Sequence, residues 1–160
     1  MENKLLIRKG KIEDLNSLIN LRKEHFKYEI DMLGNELLDS NWLVSDDCRD
    51  DFKYFILDEN AVIFVAEIDD IIVGYICGEL AYKKEWYKEN VATLTNIYIK
   101  ENFRRKNIGK YLLEYFKEFV KENGYLKIEV TTIINNDIAI DFYEKNDFKK
   151  TSVQLMLDIN

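Results

Sequence analysis

The chain is poor in the residues that hold metals or staple small folds, with two cysteines and one histidine in 160 residues. Cys48 and Cys77 show no CxxC or metal-ligand spacing, so neither a disulfide framework nor a zinc ribbon is available, and any metal site would have to be rich in carboxylates. No stretch approaches the roughly 18 apolar residues of a membrane span. Met1 to Lys11 alternates apolar with charged residues and lacks the apolar run and small-residue site of a signal peptide. A reducing, cytoplasmic location is the expectation. Internal repeats, low-complexity tracts and Gly/Ser-rich linkers are absent too, and the length is that of one domain, 1–160. Positive charge is scarce, with 23 Lys and Arg against 30 Asp and Glu and a net charge of -7. Such a surface repels phosphate polymers and gains little from counterion release, so nucleic-acid binding is not expected, while a small cationic substrate suits it. What is abundant is apolar. With 47% hydrophobic and 13% aromatic residues the chain can fill a sizeable core, and its charges are interspersed rather than blocked, against disorder.

Leu5 and Ile7 alternate with charges as a short strand. Leu15, Leu18, Ile19, Phe26 and Ile30 then recur at helical spacing. The pattern breaks around Gly34, and a second helix starts at Asp46 or Asp47 with Phe52, Phe55 and Ile56 on one face, its acidic start complementing the helix dipole. Val62 to Ile68 and Ile71 to Leu80 read as an antiparallel hairpin joined at Asp69-Asp70, a pair without the glycine of the commonest tight turn. Val91 to Ile99 is a third strand. The strongest helix follows, with Ile108, Tyr111, Leu112, Tyr115, Phe116, Phe119 and Val120 on one stripe and Asn123-Gly124 as its stop. Leu126 to Thr132 reads as strand, Asp137 to Lys145 as a short helix, and Phe148 to Ile159 as a final extended segment. This order predicts an α/β (mixed α+β) fold, a mixed, mostly antiparallel sheet with helices on both faces. A doubly wound dinucleotide fold would need GxGxxG after the first strand, where Lys9-Gly10-Lys11 supplies one glycine.

The chemistry concentrates in Asn96-Ile97-Tyr98-Ile99 and the loop Lys100 to Lys110. A strand there runs into a basic loop that opens onto the best helix, which aims unpaired N–H groups and a positive helix end at one point. Arg104, Arg105, Lys106 and Lys110 cluster in a chain that is otherwise acidic. Cations at a helix start oppose its dipole unless an anion sits between them, so an oligophosphate ligand explains the loop better than a solvated basic turn. Gly109 permits close backbone approach, and Asn107 tolerates a left-handed conformation. GxxxxGK[ST] is absent, so a nucleoside triphosphate with Mg²⁺ is not expected.

This segment, Arg104-Arg105-Lys106-Asn107-Ile108-Gly109, resembles the R/Q-x-x-G-x-G/A signature of the GNAT acetyltransferases, with Asn107 in place of the first glycine. A second segment, Asn136-Asp137-Ile138-Ala139-Ile140-Asp141-Phe142-Tyr143-Glu144-Lys145-Asn146-Asp147-Phe148, resembles N-x-x-A-x-x-x-Y-E-K-x-G-F, with Asp147 where glycine is usual. The likeness is strong from Val62 onward and extends to Met1–Asn60 only in element order. It implies a central sheet with splayed strands, no metal, and acetyl-CoA as co-substrate. It also implies a direct transfer of the acetyl group to a primary amine in a ternary complex. Backbone amides from Arg104 through Arg105, Lys106, Asn107, Ile108 and Gly109 to Lys110 would hold the pyrophosphate. The splayed strand at Ile97, Tyr98 and Ile99 would bind pantetheine, the Ile97 N–H would contact the acetyl carbonyl, and Tyr143 would act as general acid. Asn136 is either a helix cap or a pantetheine contact, and both roles can coexist at Asn135 and Asn136. Read without the resemblance, Phe142 and Tyr143 are packing aromatics.

The base stays open among Glu79, Glu129, Glu24 and His25. Attack by a cysteine is disfavoured, since no histidine neighbours either in sequence. From Glu29 to Asp51 there are eight acids (Glu29, Asp31, Glu36, Asp39, Asp46, Asp47, Asp50 and Asp51) against the single base Arg49. In relatives of the resemblance this connection borders the acceptor cleft, where it would attract a polyamine, an aminoglycoside or a basic peptide; a solvated acidic face is the alternative. Trp42, Tyr82, Trp86 and Tyr87 are available to line the cleft or to cover a homodimer contact. A catalytically silent CoA sensor and an interaction module on the same scaffold are the readings from other classes.

Overall fold

A computed structural model describes residues 4–34, 37–81 and 87–159. Among the described residues five strands form one sheet in the order β1 (Leu5–Lys9), β2 (Ala61–Ile68), β3 (Ile71–Leu80), β4 (Val91–Ile99) and β5 (Lys127–Val130). All neighbours are antiparallel except β4 and β5, which run parallel around the crossover helix α3 (Ile108–Glu122). Helices α1 (Leu15–Asp31) and α2 (Asp46–Leu57) cover one face, and α3 covers the other, with α4 (Asp137–Lys145) after β5. Strand alternation divides β2 cleanly between the two layers. Ala61, Ile63 and Val65 pack with Leu18, Leu21, Phe52 and Phe55, whereas Val62, Phe64 and Ala66 pack with Leu112, Leu113 and Phe116. The near-continuous apolar composition of β2 and β3 follows from being covered on both sides.

Local chemistry fixes the junctions. Asp69 and Asp70 adopt φ of 50° and 63°, so both hairpin residues are left-handed, a conformation that a short polar side chain tolerates in place of glycine. The Ser45 hydroxyl accepts from the Cys48 amide at 3.3 Å and caps α2, whose first turn carries Asp46 and Asp47. At the end of α3, Gly124 at φ 79° lets its amide reach Lys121 O and lets the Tyr125 amide reach Val120 O. Arg8 on β1 binds both Asp14 oxygens, at 2.7 and 2.9 Å, and Glu67 on β2 at 2.6 Å, tying the first two strands to the start of α1.

The C-terminal third departs from the sequence reading. β5 is shorter than Leu126–Thr132, and Phe148–Ile159 forms no strand. A segment becomes a strand only by pairing its backbone. Phe148 packs on Tyr143, but residues 149–159 are all exposed. Of the sequence candidates, Glu36, Tyr82 and Trp86 lie outside the described residues.

Candidate active site

The site begins where β4 loses a neighbour. Its pairing with β5 runs from Val91↔Lys127 to Leu94↔Val130 and ends there, while pairing with β3 continues to Ile99. A register shift places Asn96 opposite Cys77 and Leu94 opposite Gly78, so Thr95 is the extra residue of a bulge. A Cβ on Gly78 would lie 2.3 Å from Thr93 O and 2.5 Å from the Phe116 ring, so the strand and α3 can press this closely only on a glycine. The Lys100 amide donates to Val73 O on β3 at 2.9 Å. Alternation along the strand then turns the Ile97 and Ile99 amides away from β3, into the gap beyond the end of β5. The Ile97 and Ile99 side chains pack toward α3, and Asn96 and Tyr98 face α1.

The gap opens onto the loop before α3. Arg105 and Asn107 sit at φ 60° and 61°. The first bond of the helix runs from the Tyr111 amide to Asn107 O, which leaves the amides of Ile108, Gly109 and Lys110 as donors at its positive end. The four bases divide. Arg105, Lys106 and Lys110 are exposed, whereas Arg104 turns inward. Its Nε donates to Ile99 O at 3.0 Å and its guanidinium lies over the rings of Tyr28 and Tyr98, anchoring the loop to β4 and α1. Gly109 makes room inward: a Cβ there would come 3.1 Å from Ile99 Cδ1 and 3.2 Å from the Phe142 ring, so its smallness lets the helix start press against β4 and α4. Orphan amides, two left-handed residues that turn the backbone, and three exposed cations together make a cradle whose chemistry fits a pyrophosphate.

On α4, the Asn136 carboxamide accepts from the Ala139 amide at 3.2 Å, so here it is the helix cap. Tyr143 is buried between Phe142 and Phe148, ring centroids 5.4 and 5.3 Å away, and burial pushes its hydroxyl above its ordinary pKa. The helix closes with Asp147 at φ 70°, whose amide reaches Glu144 O while the Phe148 amide reaches Tyr143 O. Both positions where the chain departs from the glycines of the two motifs, Asn107 and Asp147, are therefore left-handed.

On the opposite face of β4 a side-chain cluster gathers the base candidate His25 and the acid Glu29 around Arg22, a residue that sequence reasoning missed. Arg22 of α1 donates to Asn96 Oδ1 at 3.0 Å, contacts His25 Nδ1 at 2.9 Å and lies 3.5 Å from Glu29 Oε2. The guanidinium also stacks over Phe26 and approaches Trp42, itself stacked on Phe26. A guanidinium only donates, so the His25 Nδ1 accepts and the neutral ring carries its proton on Nε2. Burial first, then Arg22 and Arg104, lower the His25 pKa to about 3. Burial raises that of Glu29, with Arg22 opposing. Among the described residues, Glu29 Oε2 and Tyr75 Oη are buried without a hydrogen-bond partner.

The base candidates are scattered. Glu79 accepts from Tyr54 Oη at 2.9 Å, opposite Thr93 rather than Ile97. Glu129 is exposed on β5, and Glu24 sits 3.5 Å from Tyr98 Oη and 3.7 Å from Lys100 Nζ. Both cysteines are buried, and burial pushes the Cys77 thiol up to about 12. Among the described residues no group of three or more His, Cys, Asp or Glu could hold a metal ion, and no helix is long and apolar enough to cross a membrane.

The sequence pattern of the Acetyltransferase (GNAT) family matches residues 21–148. The chain belongs to that family, and it is a GNAT-type N-acetyltransferase. It is 27% identical over 147 residues to a spermidine N(1)-acetyltransferase of Thermoplasma acidophilum, covering 89% of this chain and 87% of that one. It spans about half the length of some longer relatives, for instance 45% of an uncharacterized N-acetyltransferase of Methanocaldococcus jannaschii, with 26% identity over 64% of this chain. The fold superposes on the PaiA N-acetyltransferase of Thermoplasma acidophilum in complex with coenzyme A, with a TM-score of 0.81, 24% identity and 94% and 93% of the two chains covered. An aminoglycoside N-acetyltransferase in complex with CoA gives a TM-score of 0.78 at 17% identity, with 99% and 97% covered.

Proposed function

We propose that this acetyltransferase moves the acetyl group of acetyl-CoA directly to a primary amine of a small polycationic acceptor, in a ternary complex. The carrying observation is the gap between β4 and β5, into which unpaired amides of β4 and the orphan amides of α3 converge. Bound acetyl-CoA supplies an activated thioester. The amides of Ile108 to Lys110, with Arg105, Lys106 and Lys110 around them, bind the pyrophosphate, and the free edge at Ile97, Tyr98 and Ile99 pairs with the pantetheine amides. The Ile97 N–H donates to the acetyl oxygen as negative charge develops there, a contribution of about 3 kcal/mol to the barrier. The neutral amine attacks the carbonyl carbon; as the C–N bond forms and the C–S bond breaks, Tyr143, which keeps its proton at neutral pH because burial raises its pKa, donates it to the departing sulfur, and the proton lost by the amine nitrogen passes to water and replaces it on the phenol. Asn136 holds α4 in place as its cap.

Direct transfer is supported by the thiols, which are buried and protonated at neutral pH with the His25 Nδ1 engaged by Arg22, so no thiolate is prepared for a covalent step. Two free cysteines also suit a reducing cytoplasm. The acceptor class rests on the acids of the α1–α2 connection and on the named activities of similar proteins, which act on spermidine and aminoglycosides. Asp50 and Asp31 pair with Lys53 and Lys27, but Asp46 and Asp47 stand exposed at the start of α2, near the connection that carries Trp42. A thiol-release assay with acetyl-CoA tests the reading over polyamines, aminoglycosides, peptides with free N-termini and lysine peptides. Turnover strongest on a polyamine or aminoglycoside is expected. Turnover on peptides alone would overturn the acceptor class, and binding of acetyl-CoA without turnover on any amine would favour a sensor.

A further inference from the structure

Two buried polar atoms on the α1 side of the sheet take no part in the transfer steps. Glu29 Oε2 and Tyr75 Oη are unpartnered among the described residues, and Tyr75 is 0% exposed. Buried polar atoms are rarely left so, and two at one place point to a shared partner. Both lie about Arg22. Its Nη1 is 3.5 Å from Glu29 Oε2, and the Tyr75 phenol senses the charges of Arg22 and Glu29 together. The same Nη1 donates to Asn96 Oδ1 at 3.0 Å, so no more than about two hydrogen-bond lengths separate Glu29 Oε2 from the Asn96 carboxamide. The peptide bond that follows Asn96 supplies the Ile97 N–H. An acetyl group held there can be attacked from two sides. The α3 side is apolar, with Ile97, Ile99 and Phe142, whereas the α1 side offers Asn96 and the polar groups behind it.

We infer, on the footing of the direct transfer proposed above, that Glu29 receives the proton of the attacking amine through one enclosed water set between Glu29, Tyr75 and Asn96. Such a water donates to Glu29 Oε2 and Asn96 Oδ1 and accepts from Tyr75 Oη, which leaves one lone pair for the amine proton. As the C–N bond forms, the amine N–H proton passes to the water, and the water hands one of its own to Glu29 Oε2. The C–S electron pair leaves with the sulfur, which takes the Tyr143 proton. Glu29, whose side chain is 19% exposed although Oε2 is not, then releases its proton to solvent, and Tyr143 recovers one from there. Other groups of the cluster cannot serve. A guanidinium only donates, a carboxamide is not basic, and His25 gives its Nδ1 to Arg22 with a pKa of about 3. Burial lifts Glu29 above the ordinary carboxylate range, Arg22 opposing, which makes it the stronger base. Of the groups around it, Arg22 and, beyond His25, Arg104 stay charged, while Tyr75 of β3 and Tyr98 of β4 keep their protons because burial raises both. Glu29 is therefore the group that titrates in the mildly acidic range.

The test is the single-turnover rate against pH for the wild type, Glu29→Gln, Glu29→Asp and Tyr75→Phe, with spermidine or, should it not react, the best amine of the thiol-release panel. Glutamine keeps the size and loses the basicity. Its rate should fall about tenfold, less than for a base in direct contact, with circular dichroism and acetyl-CoA affinity unchanged. The wild-type rate should drop as pH falls through a pKa above about 4.3, and this limb should vanish in Glu29→Gln and return, at a lower rate, in Glu29→Asp. The limb from the acceptor's own ammonium, at higher pH, stays in all of them. Tyr75→Phe should keep the acidic limb and lose several-fold in rate. A wild-type rate and limb in Glu29→Gln overturns the relay and leaves acetyl transfer standing, and a wild-type rate in Tyr75→Phe overturns the held water. A raised acceptor KM with unchanged rate and limb would make Glu29 an ammonium anchor, which also overturns the relay. Absence of thiol release on every amine overturns direct transfer and the relay with it.

Discussion

The two faces of β4 build their halves of the site by different means. Toward α3 the groups are backbone: orphan amides at the helix start, unpaired amides of the splayed strand, and left-handed residues that aim them. Toward α1 they are side chains that meet across the fold, with Arg22 joining Asn96, His25 and Glu29 and stacking against Phe26. Backbone donors serve any residue type that permits the conformation, so the first half tolerates sequence change. The second half depends on each partner being present. That difference ranks the effects of substitution.

The largest expected effect is on the α3 side, at the one side chain there given a chemical step. Tyr143→Phe keeps the ring packed on Phe142 and Phe148 and removes the proton. General-acid contributions are about 10²- to 10⁴-fold, so the single-turnover rate should fall at least tenfold while acetyl-CoA affinity and melting temperature barely move. Wild-type single-turnover rates would reduce Tyr143 to packing and leave this half of the site wholly backbone.

Next comes the side-chain half. Arg22→Met removes the donor to Asn96 and His25 and the cation beside Glu29, at a cost of about 2–3 kcal/mol in stability by denaturant melts. The pH dependence carries its own signature. His25, the chain's one histidine, has a folded pKa near 3, below its unfolded value of about 6.5, so the unfolded state takes up the proton first. Stability should therefore fall as pH drops from about 6.5 toward about 3, and NMR of the single imidazole should show a neutral Nε2–H ring with no titration at pH 5. A ring that titrates near 6.5 would show that the cluster is open to water.

The third effect tests whether the α3 half is read by conformation alone. Asn107 at φ 61° has no side-chain cap bond to the helix. A β-branched residue pays about 1–2 kcal/mol in that region. Asn107→Val should weaken acetyl-CoA binding on the order of tenfold by calorimetry, and Asn107→Gly should leave it intact. Equal losses in both would mean that the carboxamide itself contacts the ligand.

What the sequence made legible follows the same division. The boundaries of β4 and α4 could be read because local periodicity and turn residues decide them, and so could most of the α3 stripe, where Tyr111 and Tyr115 are exposed and Leu113 is buried instead; the basic loop stood out because a strand, a cationic stretch and a helix start are contiguous. The inward turn of Arg104 could not be read, since its partners Ile99 O and Tyr28 lie on other elements. The Arg22–Asn96 bond joins residues 74 apart, beyond any local pattern, and its only sequence trace is an arginine on the apolar side of an amphipathic helix. The final segment failed for the converse reason. Alternation at 153, 155, 157 and 159 announces a strand, but residues 149–159 pair with none of the five strands and stay exposed.

The smallest effect is a gain. Asp147 stands at φ 70° in the turn that closes α4, where its amide and that of Phe148 satisfy the last carbonyls of the helix. Aspartate tolerates the left-handed region and glycine enters it without the Cβ penalty, though glycine also gives the unfolded chain more freedom to lose. The helix C-terminus adds a second term, because a carboxylate beside the negative end of the dipole is unfavourable and Asp147→Gly removes it. The two favourable terms outweigh the entropy, so the variant should be more stable by about 0.5–1 kcal/mol, a rise of roughly 1–4 °C in Tm for a chain of this size. The electrostatic part shrinks in high salt and the steric part does not, so melting at low and high ionic strength separates them. Because the turn seats Phe148 against Tyr143, the gain should come with unchanged acetyl-CoA affinity and single-turnover rate. A loss of stability in Asp147→Gly would show that the carboxylate makes a contact worth more than the strain it relieves.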